Sequence, residues 1–217
     1  MKPVLVFGAG KPDTQDFYEP YFSEPSTIIA IDGGANVLHQ CRQLPDWFIG
    51  DEDSLFPKTK RWLQKNKILY FSYPKEKNES DFELASIKIS NDFEPCQIDI
   101  FCMQGNRSDH FLFNLSICEN LFEKGFSPIL RSFRETIYFL DKTRPLKGIG
   151  NIGDIVSIYP LHNSVLIHKI KGLKYDLLDE WVSKESTRGL SNELTNSSYS
   201  VKVLEGKMLV FHVRKGF

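Results

Sequence analysis

The chain has 217 residues, 41% hydrophobic and 25% charged, which is ordinary globular composition with room for one large domain or two small ones. Its formal net charge of -1 gives no basic footprint for nucleic acid, and no apolar run is long enough for a membrane span. Four cysteines without zinc-binding spacing, and an apolar start too short for a signal peptide, predict a cytoplasmic protein in a reducing compartment.

The first part of the chain alternates predicted strands and helices. Apolar runs predict strands at 4–7, 27–31, 47–49, 68–73, 97–103, 128–131 and 135–140. Amphipathic patterns predict helices over 35–41, 58–66, 82–89 and 111–117. This alternation predicts an α/β fold, with a mostly parallel, Rossmann-like sheet and helices on its faces.

The pattern changes at about residue 144. Helical periodicity disappears, and short strands are predicted at 155–159, 165–170, 199–203 and 207–213, separated by Gly and Asn turns. Such a series is typical of a small antiparallel β-sandwich or barrel. We therefore predict two domains, 1–143 and 144–217.

Two glycine-containing loops follow the first two strands. The sequence Gly8-Ala9-Gly10 is only a fragment of a dinucleotide fingerprint, so we interpret it as a structural turn. Gly33, in the second loop, allows close approach to a ligand. Asp32 beside it either accepts a hydrogen bond from a ribose or amine, or caps the helix that begins near residue 35.

Acidic residues follow the third strand directly. On an extended segment, Asp51 and Asp53 would point to the same side, where their charges repel. A magnesium ion held by carboxylate and phosphate oxygens is the usual remedy, and the carboxyl ends of strands are where ligands bind in open α/β sheets. The alternative is a solvated acidic turn.

A polar stretch precedes the helix predicted over 82–89. Ser80 or Asn78 can cap that helix, and Asp81 falls in its first turn, where the helix dipole favours a carboxylate. A capped helix is one reading of these residues. The other is that Asp81 and Lys77 bring a third carboxylate and a cation to the same crevice.

The strand at 97–103 is followed by another polar loop. His110 and Asp109 at the start of the next helix usually indicate a cap. Arg107 beside them, in a loop with Gly105, adds a bidentate partner for phosphate.

Taken together, these segments resemble thiamine pyrophosphokinases. The match covers nearly the whole chain, with motifs in the family's order and spacing at 32–36, 50–54, 77–82, 105–110, 172–175 and 191–192. Any single motif is weak, but their order on the predicted elements is specific.

The resemblance implies an α/β catalytic domain, a β domain for thiamine binding and dimerisation, and a homodimer. The implied enzyme is a thiamine diphosphokinase, which transfers the β,γ-pyrophosphoryl group of ATP to the hydroxyethyl group of thiamine and releases AMP. Magnesium is implied as a cofactor, and ATP as a co-substrate. A primary alcohol is a poor nucleophile at neutral pH, and a nearby carboxylate can accept its proton. The sequence does not assign this role among the carboxylates.

The resemblance also implies roles for individual residues. The catalytic and metal-binding carboxylates are Asp51, Asp53 and Asp81, with Asn78 as a further metal ligand. The ATP-binding residues are Asp32, Gly33, Lys77, Ser80, Arg107, Asp109 and His110. The thiamine-binding residues are Tyr175, Ser191 and Asn192, with the β domain of one subunit facing the catalytic domain of the other.

Three positions depart from the family pattern. The family usually has aspartate at Asn78, threonine at Ser80 and a second glycine at Asn106. Ser80 keeps the hydroxyl, and asparagine tolerates a positive φ better than most residues. Asn78 is the departure that removes a charge from the implied metal site.

Two other functions fit parts of the pattern. A pyrophosphokinase for another alcohol, such as a pterin alcohol, would keep the fold, but the matches at 172–175 and 191–192 argue against it. A non-catalytic nucleotide- or thiamine-binding regulator would not need Asp51, Asp53, Asp81 and Arg107 together.

Overall fold

The computed structural model describes residues 2–24, 26–73 and 76–216, and the chain divides into two compact units, Met1–Phe133 and Arg134–Phe217. The sequence-based boundary at 143/144 lies later in the chain. The difference arises because strand β7 (Glu135–Leu140) pairs along its whole length with strand β14 (Met208–Val213), so its hydrogen bonds tie it to the second unit.

The first unit alternates strands and helices, as predicted. Its elements are β1 (Val4–Phe7), α1 (Gln15–Phe22), β2 (Thr27–Ile31), α2 (Gly34–Gln40), β3 (Trp47–Gly50), α3 (Pro57–Lys65), β4 (Leu69–Ser72), α4 (Asp81–Asp92), β5 (Gln97–Phe101), α5 (Ser108–Glu123) and β6 (Ser127–Arg131).

These six strands form a parallel sheet in the order β6-β5-β1-β2-β3-β4. Strands β2 to β4 extend from one side of β1, and strands β5 and β6 from the other. The connections that leave β1 and β5 therefore run to opposite sides of the sheet, and the topological switch point lies between these two neighbouring strands. The carboxyl ends of strands beside such a switch point form the usual ligand crevice of open α/β sheets.

Apolar packing on the sheet explains the one helix that periodicity does not predict. Helix α1 has only 8 residues and contains Pro20, both of which weaken its sequence signal. It is anchored by Tyr18, whose side chain is fully buried, stacks edge-on against Phe7 at 5.3 Å and lies 3.2 Å from Cys102 Sγ through its hydroxyl. Tertiary burial overrides the local pattern here.

The second unit is the predicted antiparallel sandwich. Its remaining strands are β8 (Leu146–Ile149), β9 (Ile155–Pro160), β10 (Ser164–Lys171), β11 (Leu178–Ser183), β12 (Asn192–Glu193) and β13 (Ser198–Glu205). One sheet has the order β12-β9-β14-β7, and the other β11-β10-β13-β8. Alternate residues of both sheets, such as Val156, Val165, Val201 and Val210, bury themselves in one apolar core.

Within the described residues, no helix is both long and apolar enough to cross a membrane.

Candidate active site

A cleft of about 500 Å³ opens at the switch point of the parallel sheet. The ends of three strands line it: β1 through Gly8–Gly10, β2 through Asp32, and β5 through Cys102 and Met103. Ser80–Phe82 at the start of α4 also line it. Arg107, His110 and Asn114 reach it from the loop after β5 and from α5. The sheet thus brings residues that are distant in sequence into one crevice.

The glycine loop after β1 has the structural role predicted for it. The Gly10 amide donates to the Cys102 carbonyl at 2.6 Å, and the Lys11 amide donates to the Gln104 carbonyl at 2.6 Å. A Cβ at Gly10 would lie 2.3 Å from the Gln104 oxygen. Glycine is needed here because the two loops approach each other through their backbones.

Three carboxylates converge at one edge of the cleft. Burial is the main cause that raises the pKa of Asp32 to about 7, and the hydrogen bond that its protonated form donates to Asp81, together with the charges of Asp81 and Asp51, contributes to the same shift. The Oδ1 atom of Asp32 is buried and has no hydrogen-bond partner among the described residues. A buried acidic oxygen without a donor is costly in a folded protein, so it marks this cluster as a binding position.

Asp32 is held by its backbone and not by helix capping. Its φ is 45°, in the left-handed region, and its backbone amide donates to the Ile49 carbonyl at 3.0 Å. Gly33 is the N-cap of α2, and no side chain caps that helix end. The capping alternative for Asp32 is therefore wrong. Its carboxylate instead packs on Gly50, where a Cβ would lie 1.9 Å from Oδ1.

The acidic loop, which we define as residues 51–56, differs from the extended segment that the sequence predicts. Glu52 has a φ of 66°, and the Asp53 amide donates to Asp51 Oδ1 at 3.0 Å. This turn places Asp51 beside Asp32 while Asp53 is exposed. The argument that alternation along a strand points Asp51 and Asp53 to one side is wrong, because alternation requires extended backbone.

The segment before α4 supplies the cation of the cluster. Lys77 Nζ pairs with Asp81 Oδ1, and both side chains are mostly buried, with 13% and 20% of their surfaces exposed. Ser80 caps α4, accepting a hydrogen bond from the Glu83 amide at 3.2 Å. The cap therefore belongs to Ser80, and Asn78 is an exposed residue outside the helix.

Arg107 and Asp109 form a bidentate ion pair at the start of α5. The Arg107 Nη2 atom lies 2.6 Å from Asp109 Oδ2, and Nε lies 3.2 Å from Oδ1. The hydrogen bond from Arg107 is the main cause that lowers the pKa of Asp109 to about 2. Both side chains are exposed, as is His110. Asp109 thus fixes the orientation of the guanidinium at the mouth of the cleft, while Asn106 does not adopt the positive φ that the sequence allowed.

The second unit brings Tyr175, Ser191 and Asn192 together. The Tyr175 amide donates to Asn192 Oδ1 at 3.0 Å, and Asn192 Nδ2 donates to the Tyr175 carbonyl at 2.6 Å. The Ser191 amide donates to Ser157 Oγ at 2.9 Å. Asn192 therefore holds the backbone of the Tyr175 loop, and the Tyr175 ring is left 55% exposed.

Unusual backbone angles mark both groups of residues. Asp32, Glu52, Cys102 and Ser191 are non-glycine residues with φ values between 45° and 66°. Three of them follow strands β2, β3 and β5 at the cleft, and the fourth lies beside Asn192. Such strained residues persist at ligand sites because the surrounding structure holds them in place.

Sequence patterns missed Asn36, a buried residue of α2. It is 8% exposed, donates from Nδ2 to the Ser54 carbonyl at 2.9 Å and accepts at Oδ1 from the Phe56 amide at 3.0 Å. It is the last residue of the motif at 32–36, which is the signal that could have drawn attention to it. Its partners lie across the fold, so a local pattern does not reveal them.

A crevice at the switch point of a parallel sheet, with clustered carboxylates, a lysine and an oriented arginine, is typical of enzymes that transfer phosphoryl groups from nucleotides. The comparison with known families narrows this class. Residues 18–129 match the family model described as thiamin pyrophosphokinase, catalytic domain, and residues 146–208 match the model described as thiamin pyrophosphokinase, vitamin B1 binding domain. The chain belongs to the thiamin pyrophosphokinase family.

Individual relatives agree with this assignment. The chain is 25% identical over 219 residues to thiamine pyrophosphokinase of Bacillus subtilis, covering 97% of this chain and 98% of the relative. The solved Bacillus subtilis structure has a TM-score of 0.87 at 21% identity and covers 99% and 100% of the two chains. The yeast structure has a TM-score of 0.78 at 16% identity and covers 98% of this chain and 86% of its own. The two structures show that the fold is shared.

Proposed function

We propose that the chain transfers the pyrophosphoryl group of ATP to the hydroxyethyl group of thiamine, giving thiamine diphosphate and AMP. The observation that carries the proposal is the convergence of Asp32, Asp51 and Asp81, with the Asp32 Oδ1 atom buried and unpaired among the described residues. A module that only bound a ligand would not need to keep like charges together at this cost.

The carboxylate cluster fits a magnesium ion. An orphaned, buried acidic oxygen beside two further carboxylates is a hard-oxygen donor set, which Mg²⁺ prefers. Asp32, Asp51 and Asp81 would hold the ion, with Asp53 and Asn78 as proposed further ligands. When bound, magnesium would neutralise charge on the phosphate oxygens.

The cleft provides positions for the triphosphate. Arg107 presents a guanidinium at the cleft mouth, and Asp109 holds it in one orientation. The arginine side chain therefore loses little conformational freedom when phosphate binds. Lys77 lies next to Asp81 and supplies a second positive charge. Ser80, Gly33 and His110 border the same region. We assign these residues to ATP binding.

Transfer requires the thiamine hydroxyl oxygen to bond to the β-phosphorus while the bond to the α,β-bridging oxygen breaks and AMP leaves. The hydroxyl must lose its proton, and a carboxylate of the cluster is the nearest class of acceptor. Binding, alignment and proton acceptance are the tasks that these side chains perform.

Thiamine is proposed to bind at the second unit. The exposed Tyr175 ring offers a flat face to a cationic thiazolium, with cation–π attraction of about 1 kcal/mol. Ser191 and Asn192 border the same loop. Matches to the catalytic and vitamin B1 binding models over 18–129 and 146–208 support dividing the two tasks between the proposed domains 1–143 and 144–217.

The proposal includes a homodimer in the cytoplasm. The dimer rests on the family resemblance. The four cysteines are free thiols, which suits a reducing compartment.

A substrate comparison tests the proposal. Purified protein is incubated with ATP, magnesium and either thiamine or a hydroxymethyl pterin, and kcat/KM is measured for each alcohol. We expect turnover with thiamine and at least about a hundredfold lower kcat/KM with the pterin, because the two ring systems differ in charge and hydrogen bonding. A higher kcat/KM with the pterin would show that the acceptor alcohol is a pterin and not thiamine. Turnover with neither would support a binding protein.

A further inference from the structure

Asn36 makes a pair of hydrogen bonds that no local structural role requires. It is the third residue of α2, so it does not cap this helix, and it is buried. Both ends of that amide reach the acidic loop, 2.9 Å to the Ser54 carbonyl and 3.0 Å to the Phe56 amide. One side chain thus brackets the end of the loop.

The two hydrogen bonds require the side-chain amide of asparagine. The Ser54 carbonyl needs a donor and the Phe56 amide needs an acceptor, and the asparagine side chain supplies both from one planar group. Aspartate would place an acceptor against a carbonyl oxygen, and an aliphatic residue would leave both backbone groups unpaired. Either change leaves polar groups unsatisfied in a partly buried position.

These bonds connect the helix that follows Asp32 to the loop that begins with Asp51. Helix α2 begins two residues after Asp32, and the acidic loop begins at Asp51. Asn36 joins this helix to the later part of the loop, at Ser54 and Phe56.

Other contacts also hold this loop. Leu55 packs against the apolar core of the first unit, and the backbone of Asp51 hydrogen-bonds to Asp32. Glu52 pairs with Lys60 at 2.6 Å, but Lys60 is 46% exposed, so this ion pair contributes little.

We infer that Asn36 is a positioning residue, which holds the acidic loop so that Asp51 and Asp32 lie at one cation-binding position. It acts through the loop and touches no reacting atom. The inference rests on the proposed function for the chemistry that the loop serves, but the loop's position can be measured independently of turnover.

The test uses Asn36→Ala in the full chain, with Asn66→Ala as the matched control. Asn66 donates from Nδ2 to the Trp62 carbonyl at 2.7 Å, so the control also removes a side-chain amide from a backbone partner, but at the far end of α3. Hydrogen–deuterium exchange of the peptide covering 51–56 reports the loop. Electron paramagnetic resonance of free Mn²⁺ reports cation affinity with the metal alone.

We expect Asn36→Ala to speed exchange in the loop and to weaken Mn²⁺ binding by about tenfold, since displacements of about 1 Å at a site are costly. The kcat at saturating ATP and thiamine should fall by a similar factor while the KM for thiamine stays unchanged. Asn66→Ala should change none of these. Unchanged loop exchange, or Mn²⁺ affinity within about twofold of the parent, would overturn the inference.

A second pair of variants covers the case in which Asn36→Ala does not fold. Phe56 has a φ of −65° and a 50% exposed side chain, so Phe56→Pro removes the backbone donor to Asn36 at a compatible φ. Phe56→Ala removes the same ring and keeps the donor. Faster loop exchange and weaker Mn²⁺ binding in Phe56→Pro than in Phe56→Ala support the role of Asn36, and equal behaviour contradicts it.

The outcomes separate this inference from the proposed function. If the parent protein makes no thiamine diphosphate but the loop and Mn²⁺ effects appear, the proposed function fails and the positioning role stands. If the parent is active and the Asn36→Ala loop and affinity are unchanged, the positioning role fails alone. A parent that binds no Mn²⁺ at millimolar concentration overturns the inference.

Discussion

Asp51 and Asp81 both interact with Asp32, and Lys77 pairs with Asp81. Burial and like charge raise the pKa of Asp32, which means that the folded protein binds a proton there more tightly than the unfolded chain does. The arrangement costs stability, and residues that cost stability are expected where a site needs them for function.

Replacing one of these carboxylates should separate function from stability. We expect Asp51→Asn to lower kcat by more than about a hundredfold through the loss of a charged ligand. The unfolding temperature should not fall, because one repulsive charge is gone and the new Oδ1 still accepts from the Asp53 amide. Steady-state kinetics and thermal melts measure both effects.

Glu185→Gln is the control for that substitution, since Glu185 is an exposed acid in a turn of the second unit. It should leave both quantities unchanged. An Asp51→Asn variant that kept more than about a tenth of the parent kcat would remove Asp51 from the proposed site.

Asn78 tests whether the residue before α4 belongs to the metal site. Ser80 provides the cap of this helix, so capping gives Asn78→Asp no reason to alter the protein. An added carboxylate near Asp81 should instead strengthen magnesium binding, because affinity follows the charge of the ligands. We expect the half-saturating magnesium concentration at fixed ATP to fall by roughly threefold or more.

The control adds the same charge at the other end of the same helix. Asn91→Asp lies near the C-terminus of α4 and should leave the magnesium dependence unchanged. Superimposable magnesium titrations for the parent and Asn78→Asp would show that residue 78 is not a ligand.

At the scale of elements, hydrophobic patterns predicted the strands that are apolar runs bounded by turn residues. Strands β8 and β11 were not predicted, because polar residues interrupt their apolar pattern. The completely buried β1 and the alternating burial of β10 show the two patterns clearly. Helix α1 escaped prediction because its stability comes from Tyr18 packing in the core. The short strand β12 carries little signal in only 2 residues.

The candidate site was only partly predictable for a related reason. Motifs identified Asp51, Asp81 and Arg107 because their residue types carry charge. The turn at Glu52 and the bonds of Asn36 depend on partners far along the chain or on backbone angles, which residue types do not specify. The motifs consequently indicated several residues of the cleft, but not how the loop is held.

The turn after β7 provides a pH-dependent test of local stability. Burial raises the pKa of Asp141, but hydrogen bonds from Arg144 and Thr143 outweigh it and lower the pKa to about 2. Because the folded-state pKa is depressed, the stabilisation is complete above the unfolded pKa of about 3.9 and is lost as the pH falls towards 2.

We therefore expect Asp141→Asn to lower the free energy of unfolding by about 1–2 kcal/mol at pH 7. The difference should shrink between pH 4 and pH 2. Urea unfolding of both proteins across this range measures it, with Glu185→Gln as the charge-matched control. A difference that is constant with pH would show that the ionised carboxylate is not responsible.

At the scale of the whole molecule, the proposed dimer makes a prediction about mixed subunits. If each site takes its carboxylates from one subunit and Tyr175 from the other, a dimer of Asp51→Asn and Tyr175→Ala subunits has one intact site. Random mixing of equal amounts should then restore about a quarter of the parent activity, because half of the dimers are mixed and each has one intact site of two.

Activity no higher than the mean of the two variants after subunit exchange would place each site within one chain. Sedimentation at micromolar concentration accompanies the experiment, and a fully active monomer would contradict the dimer itself.

The central claim is transfer of an intact pyrophosphoryl group from ATP to thiamine, and the fate of the β-phosphate tests it most directly. ATP labelled at the β-phosphorus is incubated with the protein, magnesium and thiamine, and the products are separated. The account predicts that the label moves into thiamine diphosphate while an equal amount of unlabelled AMP appears, and that Asp51→Asn largely abolishes both. Label recovered in ADP, with thiamine monophosphate as product or no change in thiamine, would contradict it.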